Sequence, residues 1–456
     1  MHTADINKQI VSQPYAYLKR RERSKSKGVY IILSLILISA FGPYIFRNSG
    51  VRLEHLIIYP LAAILLIRYF FHPKKATPRI YHIILTLWAL LIFWLILITY
   101  FTKDTFSFFI IPEMENVIQP LALMFILGEL LKGLSFNEQL KFLKVAAWII
   151  IILLALNAIL SIATIFIDTW SIVRWFLRGD NFLETVWGRS LTNGRYLGIF
   201  NQPFEAGLAY SVGLLLWAYL LLKQKAGSFL LSNVGILLIA GGLLSISKVF
   251  LLGGIPAAIL FAVWGLDTHR AKRLGGAFIL FVIVTGLLTS FRRWVGAQYL
   301  LQLFDYKRVS KVGALSLYSG GRLGNQSSFV GHLFRLVWEV SPLVGFGFGV
   351  NFALDNAYLE FFYQGGLIAL TIYLGILTIL GLSFFRRLAS GLIEAKMALL
   401  LVALVIFAGF GAPVLTINRS SILVWVVLIT LMFLLWSAKP SKTMTPADKT
   451  AGAVGI

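Results

Sequence analysis

Long apolar runs separated by short polar stretches recur along the whole chain. A run needs about 20 residues to cross about 30 Å of hydrocarbon. Such runs fall near 28–46, 54–71, 81–101, 117–134, 145–167, 204–222, 229–247, 249–266, 275–291, 364–384, 397–415 and 420–437. They predict an all-α polytopic membrane protein with about twelve transmembrane helices. Glu129 interrupts the fourth run, and the seventh and eighth are nearly continuous around Ser247 and Lys248. Two intervals, about 168–203 and about 292–355, are too long for tight connections and predict loops. The expected organisation is a leader over 1–27, one membrane domain over 28–437 and a tail over 438–456.

Charge orients this pattern. Basic residues cluster in the leader (Lys19, Arg20, Arg21), then at Lys74 and Lys75, Lys141 and Lys144, Lys223 and Lys225, Arg270 and Lys272, Arg386 and Arg387, and in the tail. Every second loop is therefore basic and short. The positive-inside rule places those loops and both termini in the cytoplasm, so the two long loops fall on the outer, periplasmic face.

Composition agrees. The 456 residues are 58% hydrophobic and 13% charged, whereas a soluble domain of this size is about 25% charged. A net charge of +22 would suit nucleic acid in a soluble protein. Here it reads as topology-setting lysine and arginine lying near anionic membrane lipids, so no nucleic-acid partner is expected. The absence of cysteine excludes disulfides and thiolate–metal sites. No small-residue cleavage site follows the first apolar run, so no cleavable signal peptide is expected.

Candidate chemistry concentrates in the long loops. The first contains WGRSLTNGRYLGIFNQPFEAG, with Arg189 and Arg195 in a segment punctuated by Gly194, Gly198, Asn201 and Pro203. The second supplies Arg322 beside Gly320 and Gly321, then His332 and Arg335. Planar guanidinium groups grip phosphate oxygens bidentately, and several converging on one spot make a pyrophosphate site. The alternative is that these arginines snorkel to lipid phosphates or pair with Asp180, Glu184 and Glu339. His332 reads equally as a satisfied structural histidine. No HExxH, paired-histidine or Walker spacing is present, so neither metal nor cofactor is expected. GFGFG lacks the strand–helix setting of a dinucleotide site and predicts close backbone packing or a turn. Asp355 opens DNAYLEFFYQGGLIAL at the lip of an apolar run, where a carboxylate must face water, pair or work. It reads as a general base or as a helix N-cap.

Three stretches together resemble the O-antigen ligase/polymerase superfamily of bacterial inner membranes. GRYLGIFNQPFEAG is similar to its Arg-x-x-Gly-x-Phe-x-x-Pro segment. LLSISKVFLLGG is similar to its Ser-Arg segment, with Lys248 in place of arginine. SGGRL, SPLVGFGFG and DNAYLEFFYQGGLIAL are similar, in that order, to its Arg…Pro-x-x-Gly-x-Gly…Asn-x-Tyr-Leu…Gly-Leu signature. The likeness covers residues of about 190–385. It implies a metal-independent, GT-C-like glycosyltransferase that takes an undecaprenyl-pyrophosphate-linked oligosaccharide and releases the lipid pyrophosphate. It maps the family arginines onto Arg195 and Arg322, with Arg335 the alternative to Arg322 because the spacing to Pro342 is longer than usual. Arg189, Asn201, Lys248, His332, Asn356 and Tyr358 are the expected substrate-binding residues. Ligases of the superfamily typically carry His-Asn where this chain has Asp355-Asn356, and polymerases more often carry an acid. The expectation is a repeat-unit polymerase, with a chain-length-regulating co-polymerase as a further partner. A ligase acting on lipid A core and a flippase for lipid-linked oligosaccharides are the alternatives.

Overall fold

A computed structural model describes residues 27–46, 50–71, 76–103, 110–179, 181–223, 229–264, 329–349 and 356–438. Arg322, Asp355 and the run at 275–291 lie outside the described residues. The described residues are all-α apart from two short antiparallel strands. In order the chain forms α1 (Lys27–Ala40), β1 (Tyr44–Phe46), β2 (Val51–Arg52), α2 (His55–Phe71), α3 (Arg79–Thr102), α4 (Ile110–Leu131), α5 (Phe136–Phe166) and α6 (Trp170–Val173). It continues with α7 (Val186–Thr192), α8 (Pro203–Lys223), α9 (Phe229–Leu244), a π-helical turn (Val249–Gly254) and α10 (Ile255–Trp264). After these come α11 (Phe329–Val340), α12 (Ala357–Arg387), α13 (Ile393–Gly409) and α14 (Asn418–Ser437). Six of the helices, α3, α4, α5, α8, α12 and α14, are long and apolar enough to cross a membrane.

Local chemistry moves several helix ends away from the hydropathy limits. α5 starts nine residues before the apolar run at 145, because Ser135 and Glu138 form a reciprocal capping box around its first turn. α1 stops at Ala40, and residues 44–46 of the same run form a strand instead. Two helices make the centre. In their most apolar windows α8 is 94% buried and α14 is 89% buried, against 33–44% for the other four long helices. A helix apolar all round belongs inside a bundle, whereas the outer helices show one buried stripe and one exposed apolar face. Trp88 of α3 and Trp425 of α14 meet edge-to-face at 5.2 Å, and their indole N–H groups donate to the carbonyls of Val117 and Leu415.

α12 is broken at Gly366, whose φ of 65° and ψ of −160° are not helical. In a regular helix the Tyr363 and Gln364 carbonyls would accept from Leu367 and Ile368. Here they accept the N–H groups of Phe346 and Gly347, both at 2.8 Å. The N–H groups of Leu367 and Ile368 go instead to the carbonyls of Pro342 and Leu343, at 2.8 and 3.4 Å. Residues 342–349 thus form a strap that replaces the hydrogen bonds the break removes. The strap runs on to Thr99 Oγ1, which accepts from Phe348 N at 2.8 Å, and to the Glu113 carboxylate, which accepts from Gly349 N at 2.9 Å. Gly345, Gly347 and Gly349 all have positive φ, and a Cβ on Gly345 would lie 2.6 Å from the Gly366 nitrogen. This is the close packing expected of GFGFG.

The break also turns the chain. Phe361 and Tyr373 are twelve residues apart (373 − 361), which is about 18 Å along an unbroken helix. Their ring centroids are 4.4 Å apart. α12 is therefore a short first segment, 357–365, set sharply against a second, 367–387.

Candidate functional site at the loop end of the bundle

The end of the bundle that carries residues 167–202 is called the loop end here. There α7 is N-capped by Thr185, whose hydroxyl accepts from Gly188 N at 3.0 Å. The Trp187 indole donates to the Gly198 carbonyl at 2.9 Å. Asn157 of α5 secures the following turn: its amide oxygen accepts from Ile199 N at 2.8 Å, and its NH2 donates to the Leu197 carbonyl and Tyr210 Oη. Gly198 has φ +61°, and a Cβ there would come within 2.1 Å of that amide oxygen.

Arg195 is half-buried in this turn, with its N–H on the Ser190 carbonyl at 3.0 Å. The next residue, Tyr196, donates its N–H to the Leu244 carbonyl at 2.9 Å and packs on Leu244 and Ile246. This seats the Arg195 turn on the junction between α9 and the π-helical turn, which also carries half-buried Lys248. Ile246, buried and β-branched, has a positive φ of 46° there. Left-handed backbone at such a residue stores strain, and π turns and strained residues both cluster at functional sites. Arg189, one turn earlier in α7, is exposed.

Asn201, half-buried, belongs to a second group centred on the buried side chains of Glu205, Arg419, Arg52 and Glu54. Its NH2 donates to Tyr44 Oη at 3.2 Å, and its backbone N–H donates to the Glu205 carboxylate at 3.0 Å. The other Glu205 oxygen accepts from Arg419 N at 3.2 Å. The Arg419 guanidinium donates to the carbonyls of Gly42, Phe176 and Ile199, at 3.0, 3.0 and 3.3 Å, and lies over the Tyr44 ring. Beside it Arg52 pairs with Glu54 at 2.9 Å. Burial alone would lower the Arg52 guanidinium, but Glu54, with Tyr44, Glu115 and Glu205 beyond, holds it above its ordinary value. His55 Nδ1 faces Arg52 N, and its Nε2 lies 2.9 Å from Glu115, which also accepts from Tyr59 Oη at 3.0 Å. The same Nε2 lies 3.3 Å from an Arg52 guanidinium nitrogen.

At the start of α12, Asn356 is the N-cap. Its side-chain oxygen accepts from Tyr358 N and Leu359 N at 2.9 and 3.1 Å. The capping role considered for Asp355 thus falls to its neighbour. Tyr358 donates its hydroxyl to the Ile406 carbonyl at 2.7 Å and packs on Phe410. A Cβ at Gly409 would lie 3.1 Å from the Tyr358 ring, and one at Gly411 would lie 2.8 Å from the Phe204 ring. The turn from α13 to α14 is therefore flanked by α12 on one side and by the QPFE segment on the other. His332 and Arg335 stand apart, exposed on α11.

Arg419, Glu205, Arg52, Glu54, His55 and Glu115 do not stand out in the sequence. Arg419 and Arg52 carry the same signal as Arg195, an arginine on the non-basic side of the topology, but each is isolated at the edge of an apolar run. Among the described residues no three His, Asp or Glu side chains are placed to hold a metal ion. Neither known protein-family models nor curated proteins match the chain.

Proposed function

We propose that this chain is a repeat-unit polysaccharide polymerase of the bacterial inner membrane, a glycosyltransferase using an undecaprenyl-pyrophosphate-linked oligosaccharide as donor. The loop end is periplasmic in this reading, both termini are cytoplasmic, and residues 275–291 complete about twelve spans. One observation carries the proposal: Phe204 and Tyr358, 154 residues apart (358 − 204), lie against the same turn at Gly409–Gly411. Two of the three stretches that carry the family likeness are thereby neighbours at one end of the bundle.

In the proposed reaction an acceptor hydroxyl attacks the anomeric carbon of the donor. A carbon–oxygen bond forms, the bond to the pyrophosphate breaks, and the lipid pyrophosphate leaves. Asp355 takes the hydroxyl proton. Arg195, supported by Lys248 on the adjoining turn, and Arg322 neutralise the charge that builds on the leaving group. Arg335 is the alternative to Arg322, and Arg189 and His332, both exposed, are the further substrate-binding residues of this reading. Asn201, Asn356 and Tyr358 are engaged within the protein and act by holding the arginine-bearing turn and the Asp355 end of α12.

Surface-glycan gels of a deletion strain complemented with variants test this reading. Single repeat units on the acceptor, for the deletion and for Arg195→Lys, Arg322→Lys and Asp355→Asn at normal protein levels, are the expected result. Long chains stranded on the lipid carrier identify a ligase. Units trapped on the cytoplasmic side identify a flippase, the second reading, which the broken α12 favours because interrupted helices line transporter paths.

A further inference from the structure

α11 is twelve residues long, about 18 Å, and cannot cross a bilayer of about 30 Å. Its side chains divide into three faces. Leu333 and Val337 are buried against Leu359 and Phe362 of the first segment of α12. Phe334 and Trp338, one turn apart, stack with ring planes 11° apart and are 51% and 54% exposed. His332, Arg335 and Glu339 form an exposed polar face at helical spacing. Leu343, in the strap that follows, adds to the apolar exposure at 61%. A monomer in water rarely leaves such an aromatic pair uncovered.

The neighbours indicate what covers it. α11 rests on the segment of α12 that is turned away from the membrane-crossing segment. The polar face carries an arginine and a histidine, which suit phosphate, while tryptophan and phenylalanine suit the boundary between headgroups and acyl chains. We propose that α11 is an in-plane helix that seats Phe334 and Trp338 in the lipid of the loop-end leaflet and presents Arg335 and His332 to lipid phosphates. It gives Arg335 and His332 to lipid, and so leaves Arg195, Arg322 and Asp355 to the reaction proposed above.

The chain contains no cysteine, so single-cysteine labelling needs no background substitutions. Phe334→Cys, Trp338→Cys, His332→Cys and Glu339→Cys would each carry a nitroxide in nanodiscs of phosphatidylethanolamine and phosphatidylglycerol. Power saturation then compares collision with oxygen, which concentrates in lipid, and with a soluble nickel complex. The ratio of oxygen to nickel accessibility should be several-fold higher at 334 and 338 than at 332 and 339. Labels at 332 and 339, which leave the aromatic pair intact, should relax faster with a headgroup-anchored nickel chelate. Free access of soluble nickel at all four positions, with no effect of the anchored chelate, would place α11 in water and overturn the proposal. Labels at 334 and 338 shielded from both reagents would overturn it in favour of a protein partner or a second copy.

Discussion

Arg419 and Glu205 are joined through backbone and side chain: the Arg419 N–H donates to the Glu205 carboxylate at 3.2 Å, and the same carboxylate accepts from Asn201 N. The guanidinium then reaches three carbonyls from three separate connections. Removing one member of such a buried set leaves a charge uncompensated, at a cost of about 3–5 kcal/mol. Arg419→Ala should lower the thermal midpoint in nanodiscs sharply. Arg419→Lys should recover little, because one ammonium cannot span the Gly42, Phe176 and Ile199 carbonyls. A midpoint unchanged by either variant would show that the Arg419 hydrogen bonds add nothing to stability.

Gly198→Ala forces a Cβ to within 2.1 Å of Asn157 Oδ1 and places an L-residue at φ +61°. The backbone conformation alone costs about 1–2 kcal/mol. Because the displaced turn carries Arg195, polymer should fall more steeply than protein level in a blot. Equal loss of both would mean that the turn serves folding only.

Asn356→Ala removes the cap of α12 and should cost about 1 kcal/mol, while Asn356→Asp keeps an acceptor and should cost little. Asp355→Asn should leave stability unchanged and abolish polymer, since the cap is already supplied by Asn356. Polymer of normal length in the Asp355→Asn strain would move the base to His332.

His55→Ala should destabilise the pairing of β1 with β2, because Glu115 would lose its ring partner at 2.9 Å while remaining against Tyr59. His55→Gln restores a donor and should recover part of the loss. Protease sensitivity near Gly50 in right-side-out vesicles would report it, and equal protection in both variants would count against the pairing.

Alkaline-phosphatase fusions fix orientation. Fusion near Tyr318 should be active and fusion near Arg387 silent. The reverse would move the loop end to the cytoplasm and with it the whole proposed reaction.

Hydropathy alone locates the six described helices that are long and apolar enough to span, because such a run has no other stable form in lipid. It located the ends less well. The capping box at Ser135 is a local signal that a twenty-residue window averages away. The run near 364 shows the spanning segment of α12 but not the segment before Gly366, whose place depends on contacts with Tyr373 and the strap. The seating of Arg195 on the Lys248 turn was not legible either, since it rests on one backbone bond between Tyr196 and Leu244. Arg419 does not stand out in the sequence because a single charge at the edge of a run has the pattern of a boundary marker, and the three carbonyls around it are brought there only by the fold.

The order of synthesis gives the strap a further meaning. Residues 342–349 leave the ribosome before 363–368, so the groups that complete the broken helix exist before the break is made. Four backbone groups that would each cost several kcal/mol if bare in hydrocarbon need never be bare during insertion. A circular permutant opening between the strap and α12, with the strap at the far end of the chain, reverses that order. Its sequence and final contacts would be nearly the same, but α12 would have to enter the bilayer unfinished. Such a permutant should insert poorly and be degraded early, a defect of biogenesis and not of the folded state.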